Sequence, residues 1–89
     1  MIVGYELHIN TDKSIADMLS HFKASGCAVD FKMCKDSEHG MFEIKHPKMP
    51  KIYNFKIKLY EELGTTKHYE IMSWDKEQFA LSEEWFKDI

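Results

Sequence analysis

Arginine is missing altogether: all twelve basic residues of the 89-residue chain are lysines. Arginine supplies the planar fork that reads guanine edges and grips phosphate through two bonds, so its absence argues against a sequence-specific nucleic-acid reader. Cysteine is scarce. Cys27 and Cys34 stand seven residues apart in CAVDFKMC, and on a strand that spacing separates them by roughly 23 Å and turns them to opposite faces. They cannot pair with each other and make no CxxC knuckle, which points to free thiols in a reducing compartment. The four glycines form no phosphate-binding loop. No apolar run approaches the roughly 20 residues that span a bilayer. The opening MIVGYELHIN has an acid inside its apolar stretch and no basic residue, unlike a secretory signal. The expectation is a soluble, cytoplasmic protein.

The length is that of one domain, residues 1–89, whose small core leaves only a few kcal/mol of net stability. Its formal charge of −3 is unevenly spread. Residues 1–74 balance ten acids against ten lysines, whereas residues 75–89 carry five acids and two lysines. Both tryptophans lie in the closing stretch SWDKEQFALSEEWFKDI.

Apolar periodicity divides the chain. Val3, Tyr5, Leu7 and Ile9 alternate with Gly4, Glu6 and His8, as on a half-buried strand. Ile15, Met18, Leu19 and Phe22 then recur at helical spacing, with Asn10, Thr11 or Asp12 as candidate N-caps and Gly26 placed to terminate the helix. Alternation resumes at Cys27, Val29, Phe31 and Met33, and DSEHG is turn chemistry leading into a third strand, MFEIKH. The segment KIYNFKIKLYEELG fits two periods. Tyr53, Phe55, Ile57 and Leu59 alternate as on a strand, while Ile52, Phe55, Leu59 and Leu63 fit a helix. Pro50 before it and EELG at its end favour the helix. TTKHYEIMSW reads as a strand. Asp75 followed by Gln78 is a capping-box pattern, and Phe79, Leu81, Trp85, Phe86 and Ile89 form an apolar stripe, with Phe79 and Phe86 near its centre and Glu77, Glu84 and Asp88 opposite.

The resulting order is β-α-β-β-α-β plus a C-terminal amphipathic helix: an α+β, ferredoxin-like antiparallel sheet. The alternative, β-α-β-β-β-β-α, makes residues 52–60 a strand. In the ferredoxin-like arrangement the first strand is central, and Glu6 and His8 face Glu43, His68 and Glu70 across the open side of the sheet. Such side chains could bind a divalent metal. The preferred reading is nevertheless a polar face, with no metal, no cofactor and no stabilisation by added zinc, manganese or nickel.

From Lys45 to Lys58 there are five lysines and no acid, interleaved with Tyr53 and Phe55. Base stacking along a basic groove is conceivable there, but the absent arginines and the need for Phe55 in the core make a solvated lysine face the better account. His21 beside Ser20 and Ser25, and Cys34 with His39, make no recognisable nucleophile arrangement, so catalysis is not expected.

A protein-binding role remains. In physical character the chain resembles small bacterial or phage-encoded inhibitors, such as toxin-immunity proteins, antitoxins and anti-defence proteins. That likeness implies an acidic surface steered to a basic site on a protein partner and anchored by aromatic side chains. The residues expected to make the contact are Trp74, Asp75, Glu77, Glu84, Trp85 and Asp88. The alternatives are a nucleic-acid module built on Lys45–Lys58 and a small structural homodimer using an open sheet edge or face.

Overall fold

The computed structural model describes residues 4–89, so Val3 lies outside the described residues. Five strands and two helices follow the order β1 (Tyr5–Thr11), α1 (Ile15–Ala24), β2 (Ala28–Met33), β3 (His39–Lys45), β4 (Tyr53–Leu63), β5 (Thr66–Ser73) and α2 (Lys76–Phe86). The fold is α+β, with one antiparallel sheet in the order β1-β5-β4-β3-β2. Among the described residues no helix is long and apolar enough to cross a membrane.

The segment around residues 52–63 is a strand and not the expected helix, and the physical reason lies in its two supposed helix signals. Gly64 does adopt a left-handed φ of 64°, but it serves a two-residue hairpin turn, since Leu63 pairs with Thr66 across it. Pro50 belongs to the loop that precedes the strand. Once β4 lies between β3 and β5, Tyr53, Phe55 and Ile57 all turn inward and are buried. The strand period satisfies the core better than the helical one.

A second correction follows. β1 is an edge strand paired only with β5, not a central strand beside β3. Four consecutive strands, β2 to β5, run as a meander, and the chain's first strand is added at its far side.

Both helices lie against the apolar face. α1 is capped by Ser14, whose hydroxyl accepts from the Asp17 N–H while the Asp17 carboxylate accepts from the Ser14 N–H, 2.9 Å away. Ser14 displaces the expected caps because β1 continues through Thr11. The helix ends in a Schellman arrangement: Gly26, at φ 86°, donates to the Lys23 carbonyl and Cys27 to the Phe22 carbonyl. α2 begins at Asp75, whose carboxylate accepts from the Gln78 N–H. The Gln78 side chain reaches back to the Trp74 N–H, one residue beyond the partner of a standard capping box.

Phe86 holds the layers together. Its ring lies 5.1 Å from Phe22 of α1 and 5.9 and 5.8 Å from Phe42 and Phe55 of the sheet, each near edge-to-face. Phe79 is not at the centre of the buried stripe. It is half-buried against Tyr5 on the edge strand, and Ser82 and Phe86 are the fully buried residues of α2. Met33, expected inside, is 55% exposed because it ends the edge strand β2.

Ser73 is fully buried, and its hydroxyl has no hydrogen-bond partner among the described residues. An unsatisfied buried hydroxyl costs stability, whereas removing it leaves only a small void. Ser73→Ala is expected to leave the melting temperature unchanged or raise it, by a gain of up to about 1 kcal/mol in denaturant titration. A loss of more than that would mean the hydroxyl is bonded.

Candidate functional site

The two helices cover one face of the sheet, and strand alternation puts a second set of residues on the other. Register aligns them in rows. Glu6 of β1 pairs with Met72, His8 with Glu70, and Asn10 with His68. Glu70 is also opposite Lys58, and Met72 opposite Lys56.

At the β1–β5 side of this face stands a histidine–carboxylate cluster. Ligand atoms of Glu6, His8 and Glu70 all lie within 4.8 Å of one another. His8 Nε2 is 3.3 Å from the Glu6 carboxylate, and His8 Nδ1 is 2.8 Å from His68 Nε2. The His68 ring also contacts Tyr60, with centroids 5.4 Å apart. The sequence expectation placed Glu43 in this group as well. Glu43 is on β3, separated from β1 by two strands and paired with Asp30 and Asn54, so the edge position of β1 excludes it.

The six residues expected to bind a partner fall into two groups at the two ends of α2, an 11-residue helix roughly 16 Å long at about 1.5 Å per residue. Trp74 and Asp75 are exposed where β5 hands over to the helix. Trp74 is 51% exposed and lines a shallow groove with Gly4, Tyr5, Glu6 and Met72. Glu77 is exposed but engaged: its carboxylate accepts from the buried Tyr53 hydroxyl at 2.9 Å. Burial and this carboxylate together hold the phenol in its protonated form by raising its pKa.

Glu84, Trp85 and Asp88 share a hollow with His21, Cys27 and His46 at the other end. Trp85 is largely committed to packing. His46 stacks on it at 5.2 Å with the planes 9° apart, and Tyr53 and Phe55 meet it edge-on at 5.8 and 5.7 Å. Burial pushes the nearby Cys27 thiol up, away from the reactive thiolate. Asp75 and Glu77 also have structural bonds, so among the acids it is Glu84 and Asp88 whose reversal tests charge alone.

The basic stretch is dispersed by the fold. Tyr53 and Phe55 are in the core and offer no stacking surface. Lys45 is turned to the carbonyls of His46 and Met49, Lys51 lies 5.1 Å from the Tyr53 ring, and Lys58 is 3.7 Å from Glu38.

One surface was not anticipated. β4 outruns its neighbour: its pairing with β3 ends at Lys58 opposite His39, while its pairing with β5 continues to Leu63. The far part carries exposed Leu59, Tyr60 and Leu63 beside Glu61 and Glu62. Only the strand assignment exposes this arm, although Leu59 and Tyr60 followed by two acids and Leu63 before a glycine turn are visible in the sequence.

No family model, no curated protein and no solved structure matches the chain.

Proposed function

We propose that this protein is a small acidic inhibitor that acts in the cytoplasm by stoichiometric binding, in the manner of toxin-immunity, antitoxin or anti-defence proteins, and blocks a basic site on a protein partner. The observation that carries the reading is Trp74. A large aromatic side chain stays half in solvent beside Met72, at the acidic start of α2, although the same fold packs Trp85 among three rings. Aromatic anchors ringed by polar groups dominate the energetics of protein interfaces. The acids of residues 75–89 supply complementarity to a basic surface and speed the encounter.

Immobilised protein is used to capture the partner from the source cell, and binding is then measured with purified components. Trp74→Ala is expected to keep the melting temperature within a few degrees and to weaken binding by about 30-fold or more, the effect of an interface hot spot. Glu84→Lys with Asp88→Lys is expected to slow association, and the wild-type on-rate should fall as salt screens the charges over about 8–10 Å. Unchanged affinity in Trp74→Ala, with an on-rate flat in salt, would overturn this surface.

A second reading has its own observation. The free edge of β4 beyond Lys58, with Leu59, Tyr60 and Leu63 exposed, is the kind of edge that accepts another strand. A dimer in sedimentation equilibrium that Leu63→Asp dissociates would favour a structural homodimer.

A further inference from the structure

We propose that Glu6, His8 and Glu70 form a binding site for a divalent transition-metal ion of the zinc type, with His68 as the residue that orients the imidazole. Three potential ligand atoms within 4.8 Å of one another enclose a point no more than about 2.8 Å from each, so shifts of under about 1 Å bring all three to the roughly 2.0–2.2 Å of zinc–nitrogen and zinc–carboxylate bonds. One imidazole and two carboxylates suit zinc, manganese or cobalt better than the all-oxygen shells of calcium or magnesium.

The frame that holds these ligands is rigid. Glu6 and His8 are two apart on β1 and share a face, and Glu70 is directly across from His8 on β5. All three stand on paired strands and none on a loop. The positions beyond the protein ligands face solvent, so water completes the shell.

The hydrogen bonds around His8 match what a metal requires. A ligating histidine ordinarily donates its other ring N–H to a fixed acceptor, which sets its tautomer and raises its basicity. His8 Nε2 points at Glu6, 3.3 Å away, and Nδ1 points at His68 Nε2, 2.8 Å away. With the ion on Nε2, the Nδ1–H donates to His68, whose own proton then sits on Nδ1.

Charge supports the same assignment. Lys58, the cation in register with Glu70, has its ammonium within 3.7 Å of Glu38. Among the described residues Glu70 makes no ion pair, and the partner of Glu6 is His8 itself. Two carboxylates without a lysine partner, one two residues along β1 from the imidazole and one opposite it on β5, attract a dication.

The experiment uses the full chain, stripped with chelator and titrated calorimetrically with zinc, with manganese-induced NMR broadening to locate the ion. One equivalent of zinc is expected to bind and to raise the melting temperature, as a ligand of the native state must. Broadening should centre on Glu6, His8 and Glu70. Glu70→Gln keeps the shape and removes the charge, and should abolish binding at the concentrations used. His68→Gln should weaken it by about 10-fold or more, as loss of an orienting partner does. His46→Asn, where the ring stacks on Trp85 of α2 on the helix-covered side, should change nothing. Glu6→Gln stands in if Glu70→Gln does not fold. The absence of binding by zinc, manganese and nickel, or zinc affinity unchanged in a folded Glu70→Gln or Glu6→Gln variant, would overturn the site.

Discussion

Phe86→Ala is expected to cost about 3–5 kcal/mol, the range for truncating a buried phenylalanine, and so to leave little or no folded protein at 37 °C. The magnitude follows from where the ring sits. It is 1% exposed and touches a ring of α1 and two rings of the sheet, so its removal opens a cavity where both helices and the sheet meet. Large aromatics on three sides cannot collapse into that space without leaving their own rotamers. A domain of this size has only a few kcal/mol to lose. The comparison is Phe79→Ala, also on α2 but half-buried against the edge strand, where a smaller loss of about 1–2 kcal/mol is expected from partial exposure of the ring. Denaturant melts of the two variants measure this directly. Equal costs would show that α2 is anchored along its length and not mainly at its C-terminal end.

Ile57→Pro is expected to abolish cooperative folding. Ile57 lies on the middle strand of five, opposite Gly40 of β3 and Ile71 of β5, and is buried. Proline removes a backbone donor and fixes φ where neighbours on both sides demand a regular ladder, so it is excluded from central strands. The lost side chain adds a cavity of the kind that costs about 2–5 kcal/mol for isoleucine truncation. Ile57→Val is the control, with an expected cost of about 0.5–1.5 kcal/mol. Circular dichroism and a thermal melt suffice. A folded Ile57→Pro protein with a sharp transition would place β4 at an edge and would invalidate the strand order.

Much of the architecture is legible in the chain because it rests on local rules. The helix over Ile15–Ala24 follows from four apolar residues at helical spacing and a glycine that can adopt positive φ. Its cap moved to Ser14 only because β1 uses Thr11. α2 is equally local, with Asp75 as its cap. The alternation of Leu7 and Ile9 with Glu6 and His8 correctly separates the inward and outward faces of β1.

The ambiguous segment shows where local rules end. Phe55 is an inward residue under either period, and a glycine with positive φ serves a helix end as well as a hairpin turn. Only pairing with β3 on one side and β5 on the other separates the two, and those partners are distant in sequence.

Sequence alone determined that the chain has an apolar set sufficient for one small core, an acidic amphipathic C-terminal helix, unpaired thiols and no arginine-based recognition. These are properties of composition and of spacing within a few residues. Tertiary structure decided which strand is the edge, and through it every grouping between segments. Because β1 joins β5 and not β3, His8 meets Glu70 and His68 while Glu43 is left two strands away. Because α2 crosses the core with Phe86 innermost, Trp85 is drawn into packing and Trp74 is left outside. Strand order and register are set by the combined burial of all five strands and both helices, a sum that no single segment contains.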